Sequence, residues 1–388
     1  MPLFFFYVAL VYCCINSWII WWFWRALRGS GRVRVIACLV LLFIAACFPF
    51  GYLSSSASPW AMTLLRIGAI WIGVFIYVFL MVLVVDGVAI IRRLFRASSQ
   101  NYFQNSSQKH RQRPRYLACM AVVVLTVMLG AAGWINAAYP VVREFDVTVP
   151  TQQPELQGKT LTIAALSDLH LGRTLPAVRL SRAMGLIAPH KPDAVFFLGD
   201  VLDDHILLDL DAMRDAIALV QPPLGVWGIL GNHEYISGQA SESQEILEQV
   251  GIRILRDDWA VLENQLLLVG RDDYSKPRFT HTERAPLAEV LEAVPSAHRQ
   301  LPLIVLDHQP QHLDEAERAG TALQLSGHTH NGQIWPANLI VARVFENPYG
   351  YSTRSETHYL VSAGAGTWGP PMRNTARPDV LIVRLRFN

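Results

Sequence analysis

Residues 161–170 have the sequence LTIAALSDLH, a short apolar run that ends in an aspartate and a histidine. An apolar run of this length between turn residues predicts a buried β-strand. Similar runs recur along the second half of the chain and alternate with stretches of helical period. The predicted strands are 161–166, 194–198, 226–230, 266–269, 303–306, 323–325 and 380–385, and the predicted helices are 177–187, 208–220, 241–250, 285–293 and 311–319. From residue 332 onward the pattern is more typical of strands. This alternation predicts an α/β domain.

Five of the predicted strands run directly into polar residues that can bind metal ions. The five blocks are Ser167-Asp168-Leu169-His170, Gly199-Asp200-Val201-Leu202-Asp203, Gly231-Asn232-His233-Glu234, Asp307-His308 and Ser326-Gly327-His328-Thr329-His330. Ligands of open α/β sheets collect at the carboxyl ends of the strands, so we expect the blocks to converge. Packing so many carboxylates and imidazoles together without a cation would leave buried like charges. Because this half of the chain contains no cysteine, the ligands would be nitrogen and oxygen atoms.

The five blocks match, without substitution, the D-x-H, G-D-x-x-D, G-N-H-[DE], His and G-H-x-H signature of the calcineurin-like metallophosphoesterase superfamily. The chain resembles that superfamily from about residue 161 to the C-terminus. Its tail, from Gly364 to Arg373, is similar to that of the membrane-attached bacterial phosphodiesterase group. The resemblance implies a sandwich of two mixed β-sheets flanked by helices, and an enzyme that hydrolyses ester or anhydride bonds of phosphate.

The resemblance also implies two divalent metal ions and the residues that bind them. The first ion would be held by Asp168, His170 and His330, the second by Asn232, His308 and His328, and both by a bridging Asp200. Nitrogen and oxygen ligands suit Mn, Fe or Zn, of which we favour Mn. A water shared by two such ions ionises near neutral pH, so the expected nucleophile is a metal-bridged hydroxide.

His233 and Asp203 are the catalytic residues that the resemblance implies. His233 would face the phosphate and either stabilise the charge of the transition state or protonate the leaving oxygen. Asp203 would orient His233. Two arginines, Arg173 and Arg373, would either pair with phosphate oxygens or lie solvated on the surface.

The first 140 residues have a different composition. Residues 2–24, 35–52, 67–85 and 116–139 contain no Asp, Glu, Lys or Arg, and each stretch approaches the roughly 20 residues that cross a bilayer as a helix. We therefore predict a four-helix transmembrane region over residues 1–140, a connector over 141–159 and a metallophosphoesterase domain over 160–388.

The net charge of +2 is the sum of two unlike parts. Residues 1–140 carry 12 Lys/Arg and one acidic residue, a net charge of +11, whereas residues 141–388 carry 21 Lys/Arg and 30 Asp/Glu, a net charge of −9. The cations cluster in the loops after the first and third apolar stretches, and short basic loops stay in the cytoplasm. We predict a multi-pass protein of the inner cell membrane with an extracytoplasmic catalytic domain. The acidic catalytic half argues against a nucleic-acid partner.

Together these features favour a membrane-anchored phosphohydrolase that cleaves a phosphodiester or pyrophosphate bond in a lipid-linked or envelope substrate. One alternative is a UDP-diacylglucosamine pyrophosphatase-type hydrolase of lipid A synthesis, which requires the opposite topology. Another is a membrane scaffold or sensor without catalytic activity. Four aromatic residues, Trp335, Tyr349, Tyr351 and Trp368, would either pack in the core or form an apolar rim for acyl chains.

Overall fold

The computed structural model of the chain describes residues 2–27, 31–54, 58–98, 108–172, 177–205 and 208–388. The chain divides into two compact units, Met1–Trp134 and Ile135–Asn388. All five polar blocks lie in the second unit, so the site is built from that unit alone.

The first unit consists of long apolar helices, as the uncharged stretches predict. Its described residues form α1 (Pro2–Ala26), α2 (Gly31–Leu53), α3 (Pro59–Ser98) and α4 (Gln108–Ala138), the last turn of which belongs to the second unit. Each helix contains a segment of at least 21 residues that is long and apolar enough to cross a membrane. A helix bonds its own backbone groups, which a bilayer core requires of any spanning segment.

Two glycines bring α2 and α3 into close contact. A Cβ atom on Gly68 of α3 would lie 2.2 Å from the backbone nitrogen of Phe48, and a Cβ on Gly51 of α2 would lie 2.6 Å from the backbone nitrogen of Leu65. The obstructing atoms are backbone atoms, so they cannot move aside by a change of rotamer. Small residues of this kind let helix backbones approach closely in an apolar environment.

The second unit is a sandwich of two mixed six-stranded sheets. In the order given below, the first sheet is β1-β12-β2-β3-β4-β5 and the second is β10-β11-β9-β8-β7-β6. The strands are β1 (Val141–Val149), β2 (Thr160–Leu166), β3 (Ala194–Leu198), β4 (Val226–Ile229), β5 (Arg253–Ile254), β6 (Asp258–Leu262), β7 (Leu266–Gly270), β8 (Leu303–Leu306), β9 (Leu323–Ser326), β10 (Gly350–Arg354), β11 (Thr357–Val361) and β12 (Asp379–Phe387). Strands β2 to β5 run parallel, as do β7, β8, β9 and β11.

Helices connect the strands and cover the outer faces of the sheets. They are α5 (Val178–Ile187), α6 (Leu210–Ala218), α7 (Asn232–Ile236), α8 (Ala240–Gln249), α9 (Lys276–Thr280), α10 (Leu287–Glu292), α11 (Leu313–Arg318) and α12 (Ala337–Val344), with short 3₁₀ turns at Ala188–His190, Ser296–His298 and His330–Gly332. Two mixed sheets flanked by helices confirm the fold that the sequence predicted.

Period-two alternation places the main core between the two sheets. Ile163 and Phe196 of the first sheet and Ile304 and Leu325 of the second are fully buried in one apolar cluster. The neighbouring side chains of the first sheet point outward, where Leu180 and its neighbours on α5 pack against them in a second cluster. Both faces of the first sheet are thus buried, which explains why its strands appear in the sequence as continuous apolar runs.

The structure contains four short elements that were not predicted, β5, β6, α7 and α9, and it differs from the prediction in two longer segments. The connector predicted over 141–159 is too long, because its first nine residues form β1, which pairs in parallel with β12. Charged residues such as Arg143 and Glu144 obscure the strand pattern, as is usual at a sheet edge. The region after residue 332 contains a helix, α12, before its strands begin.

Replacement of Gly68 by leucine should destabilise the packing of α2 against α3 by about 1–3 kcal/mol or more, as overpacking of a close contact does. The measurement is the thermal unfolding midpoint of the purified full-length protein. Gly87→Leu on the same helix is the matched control, because a Cβ at Gly87 would meet no atom within 4 Å. Equal midpoints for the two variants would contradict the close contact.

Candidate metal centre

The five polar blocks converge at one edge of the sandwich. Strands β2, β3 and β4 of the first sheet and β8 and β9 of the second are each followed directly by one block. All seven residues predicted to bind metal lie there, in contact with one another. Three groups of potential ligand atoms are close enough to hold an ion: Asp168, His170 and His330; Asp200, His308 and His328; and His170, Asp200 and His233.

In the first group, two imidazoles face the same buried carboxylate. The Nε2 atoms of His170 and His330 lie 3.0 Å apart, and they lie 3.8 and 3.2 Å from Oδ1 of Asp168. All three residues are buried. Three lone-pair atoms that point at one space form a nitrogen and oxygen donor set of the kind that binds divalent transition metals.

In the second group, Asp200 occupies a central position. Its Oδ2 atom lies 3.2 Å from Nε2 of His308 and 3.9 Å from Nε2 of His170, which belongs to the first group. Asn232 completes the group, since its Oδ1 atom lies 3.3 Å from Nε2 of His308 and 2.7 Å from Nδ1 of His328. Asp200 therefore lies between the two groups of histidines.

The rings of His308 and His170 are each oriented by a hydrogen bond at Nδ1, the nitrogen that points away from the centre. Nδ1 of His308 donates to the carbonyl of Leu198 at 2.6 Å, and Nδ1 of His170 lies 2.6 Å from Oδ1 of Asp203. Both acceptors leave the Nε2 lone pair directed toward the centre. A metal-binding histidine is usually oriented in this way, so these residues fit a metal ion.

The ionisation of the histidines agrees with that fit. Burial lowers the pKa of His328 to about 3 and of His330 to about 4, so both rings are neutral and can offer a lone pair. Burial would lower the pKa of His308 too, but the Asp200 carboxylate outweighs burial and raises it well above the usual value. The Asp200 carboxylate is therefore stabilised by a positive charge near His308, which can be a proton on the ring or a divalent cation.

Five of the seven predicted ligand residues have a strained backbone conformation. Asp168, His170, Asp200, His328 and His330 all have positive φ angles, between 49° and 70°. This left-handed region costs a residue with a side chain roughly 1–3 kcal/mol. Backbone bonds between the loops hold the conformation; the amides of Asp168 and His170, for example, donate to the carbonyls of Gly199 and Asp200, each at 3.0 Å.

Glu234 has a structural role that the sequence analysis did not assign. Its buried carboxylate accepts backbone N–H bonds from Gly231 at 2.8 Å, Asp200 at 3.2 Å, Val201 at 2.8 Å and Leu202 at 3.0 Å. Burial and the nearby Asp200 charge raise the pKa of Glu234 to about 7. One side chain thus joins the loop that carries Asp200 to the loop that carries Asn232. The final letter of the G-N-H-[DE] block was the only signal for it.

His233 lies at the mouth of the centre. Its Nδ1 atom is 2.8 Å from Oδ1 of Asp203, the same oxygen that contacts His170. Burial would lower the pKa of His233, but the charge of Asp200 and the bond to Asp203 raise it to about 9. In this state His233 is an imidazolium at neutral pH. Asp203 thus orients both the predicted catalytic histidine and a predicted metal ligand.

Arg373 took neither of the positions predicted for it. Arg373 is fully buried, its Nη2 atom donating to the carbonyl of Gly366 at 2.6 Å and lying 2.9 Å from Nδ1 of His330. It does not lie on the surface, and its guanidinium lies beside the His330 ring. Arg173 lies outside the described residues.

Comparison with known proteins agrees with this geometry. The sequence pattern of the calcineurin-like phosphoesterase family matches residues 161–332. An uncharacterized metallophosphoesterase of Aquifex aeolicus is 32% identical over 264 residues, which cover 68% of this chain and 98% of the relative. The chain belongs to the calcineurin-like phosphoesterase family. It is therefore a phosphoesterase of a dimetal-dependent family, as the sequence predicted.

Two further relatives bear on the arrangement of this phosphoesterase. A Danio rerio protein named "transmembrane protein with metallophosphoesterase domain" is 26% identical over 364 residues, which cover 91% of this chain and 80% of the relative. The phosphodiesterase YaeI of Escherichia coli is 27% identical over 234 residues, which cover 58% of this chain and 81% of YaeI. The first match extends into the apolar helices, and the four helices together with this relative indicate a membrane protein.

Of the four aromatic residues that the sequence singled out, Trp368 lies beside the centre of this phosphoesterase. The Trp368 ring lies 6.0 Å from the His233 ring, and Trp368 is 56% exposed. Trp335 and Tyr351 are also about half exposed, while Tyr349 is partly buried and contacts Arg143. Core packing is therefore the wrong interpretation for three of the four aromatic residues.

Glu234→Gln should loosen the centre without removing a predicted metal ligand. The amide of glutamine offers one acceptor oxygen where the carboxylate offers two, so at least one of four buried N–H groups loses its partner, at a cost of about 1–3 kcal/mol. We expect a lower unfolding midpoint and fewer bound metal ions per chain by elemental analysis. Glu245→Gln, an exposed site on α8, is the control and should match the wild type.

Proposed function

We propose that this protein is a membrane-anchored phosphohydrolase that holds two divalent metal ions and cleaves a phosphodiester or pyrophosphate bond in a lipid-linked or envelope substrate. The ions would be held by the residues that the family resemblance assigns: Asp168, His170 and His330 for one, Asn232, His308 and His328 for the other, and Asp200 for both. The position of Asp200 between the two groups of histidines carries this proposal.

When bound, the two ions would supply positive charge for the phosphate oxygens and an activated water for attack on phosphorus. The donor set of imidazole nitrogens and carboxylate or amide oxygens suits Mn, Fe or Zn, and Mn is our proposal. Cysteine ligands are absent from the sequence of the second unit, so soft thiolate chemistry has no place in this site.

The side chains of the chain itself have two tasks in this mechanism. His233, with Nδ1 tied to Asp203, would present the proton on Nε2 to the phosphate, where it stabilises charge or protonates the leaving oxygen. Asp203, which contacts Nδ1 of His233, would stabilise the charged ring that carries this proton. Through its contact with His170 it would also orient a ligand of the first metal ion. The buried Arg373 would act behind His330 and would not contact the substrate.

We propose an inner-membrane location with the second unit outside the cytoplasm. The support is the distribution of arginine and lysine, which fills the loops after the first and third apolar stretches and is absent between residues 53 and 60. Short basic loops are retained in the cytoplasm. Each crossing reverses the side of the membrane, so four crossings would leave residues 139–388 on the outer side.

Alkaline phosphatase and β-lactamase reporters, each fused after the C-terminal Asn388 of the full chain, measure this topology. We expect phosphatase activity and ampicillin resistance in intact cells that express the fusions, because alkaline phosphatase becomes active only after export and β-lactamase protects intact cells only when it is exported. A reporter confined to the cytoplasm would overturn the proposed location and favour the hydrolase of lipid A synthesis.

Asp200→Ala and His233→Ala should inactivate the enzyme in different ways. Loss of Asp200 removes a ligand from both ions, so metal content should fall from two ions per chain together with activity. Loss of His233 should leave two ions but lower the rate about 10²–10⁴-fold, the usual contribution of general acid catalysis. The assay is hydrolysis of bis-p-nitrophenyl phosphate, with metal content measured on the same samples.

His281→Ala is the control for these variants, because His281 is exposed beyond α9; it should keep both activity and metal. A wild-type protein that binds fewer than two ions and cleaves neither bis-p-nitrophenyl phosphate nor lipid-linked pyrophosphates would support the scaffold or sensor instead.

A further inference from the structure

An apolar helix lies exposed beside the metal centre. The segment 334–345 has the sequence IWPANLIVARVF and includes α12, none of whose side chains is buried. Trp335, Leu339, Ile340 and Val344 are between 48% and 67% exposed. We call these four residues the α12 face.

The α12 face exposes apolar side chains where a surface helix of a water-soluble protein exposes polar ones. Within α12, Val344 lies four residues after Ile340 and Leu339 is adjacent to Ile340, so these three side chains lie on one side of the helix. Trp335 precedes the first residue of α12 by two positions. A helix on a soluble domain normally turns such a stripe toward the core. The segment contains no acidic residue and one cation, Arg343, which is exposed. A contiguous exposed apolar surface of this kind marks an interaction site.

The α12 face also borders the predicted catalytic residues. Phe345, which ends α12, has its ring 5.7 Å from that of His328. On the other side, Gln333 donates to the carbonyl of Trp368 at 2.8 Å and accepts from its amide at 2.9 Å. Trp368 in turn contacts the His233 ring. The residues that flank the α12 face thus contact, directly or through Trp368, two histidines of the predicted site.

The end of α4 indicates what covers the α12 face. The candidate membrane span Arg115–Ala138 ends two residues before β1 begins. Within the second unit, Asn136 donates to the carbonyl of Arg373 at 3.0 Å, and Arg182 donates to that of Ala138 at 2.6 Å. A spanning helix ends at the bilayer surface. These bonds therefore tie the loop that carries Trp368 and Arg373 to the point at which the chain leaves the lipid.

We propose that the α12 face inserts into the surface of the bilayer that this chain spans, and that the metal centre takes its phosphate substrate from the same surface. A tryptophan and a cation that flank aliphatic residues are typical of an interfacial helix, with Arg343 able to reach the headgroup level. The substrate class that follows is a phosphoester or pyrophosphate on a membrane-embedded lipid. This part of the proposal rests on the proposed function of the centre.

Photo-crosslinking tests the insertion without reference to activity. Benzoylphenylalanine replaces Ile340 in the full-length protein, reconstituted in vesicles of phosphatidylethanolamine and phosphatidylglycerol. Ultraviolet light should give a lipid adduct at this position. The control is the same residue at Leu219, which is 54% exposed beyond α6 and should give none. A protein–protein adduct at position 340, or no adduct, would overturn the proposal.

A pair of chromogenic phosphodiesters tests the substrate class. Hexadecyl p-nitrophenyl phosphate is anchored in the vesicle, whereas bis-p-nitrophenyl phosphate is soluble, and both release p-nitrophenol. In the double variant Leu339→Glu/Ile340→Glu, the rate ratio of anchored to soluble substrate should fall at least about ten-fold, because the site no longer meets its substrate at the surface. Leu219→Glu should keep the wild-type ratio.

The outcomes separate this proposal from the proposed function. An inactive wild type that still gives the lipid adduct would refute the function and leave the insertion standing. An active enzyme with an unchanged ratio in the double variant would refute the surface as the source of substrate. If the double variant fails to fold, the adduct at position 340 still decides the insertion.

Discussion

The buried carboxylate of Asp200 is the constraint on which the rest of the second unit depends. It lies within 4 Å of histidine nitrogens from two sides of the centre, and its Oδ1 accepts the backbone N–H of His233 at 2.8 Å. An ionised carboxylate in such a place needs compensation, because desolvation of a charge is costly. The groups that compensate this charge are histidine rings and backbone N–H groups. The strained strand ends and the hydrogen bonds of Glu234 hold them close to Asp200. A Cβ on Gly231 would lie 2.2 Å from Oδ1 of Asp200. The loop that carries Asn232 can therefore pack against Asp200 only with a glycine at this position.

A second layer of contacts determines what each ligand can do. Asp203 contacts His170 and His233 through one oxygen, so the orientation of a predicted metal ligand and the protonation of the predicted catalytic histidine are coupled. On the other side of the first group, Arg373 lies 2.9 Å from Nδ1 of His330, where the sequence predicted contact with phosphate or with solvent. A guanidinium can only donate, so this contact favours an acceptor at Nδ1 of His330 and not the Nδ1–H form that Asp203 favours in His170. Neither group is itself a predicted metal ligand, yet Asp203 determines the tautomer and ring direction of His170, as the outer contacts of metal sites generally do.

The sequence was sufficient wherever a local pattern carried the information. The strands over 194–198 and 303–306 were predicted to the residue, because apolar runs between turn residues are local features, and the blocks after them could be placed by the rule for parallel strands. Three features were beyond its reach. Strand β1 has a charged, alternating edge pattern, Glu234 acts through four amides from two loops, and Arg373 is buried by the return of the tail. Each depends on contacts between residues far apart in the chain, which no local pattern contains.

The two halves of the charge distribution bear on how the second unit meets a lipid surface. Residues 141–388 have a formal charge of −9, and two divalent cations would bring this only to about −5. A negatively charged unit gains nothing from the field of phosphate headgroups, and the basic residues near the spans lie in loops of the first 140 residues. Electrostatic attraction therefore contributes little to binding of the second unit to the lipid surface. The aliphatic residues and tryptophan of the α12 face can bind there through burial of apolar area. The absence of acidic residues from segment 334–345, within a unit that carries 30 of them, follows from the same requirement, because an acid there would repel the headgroups and oppose insertion.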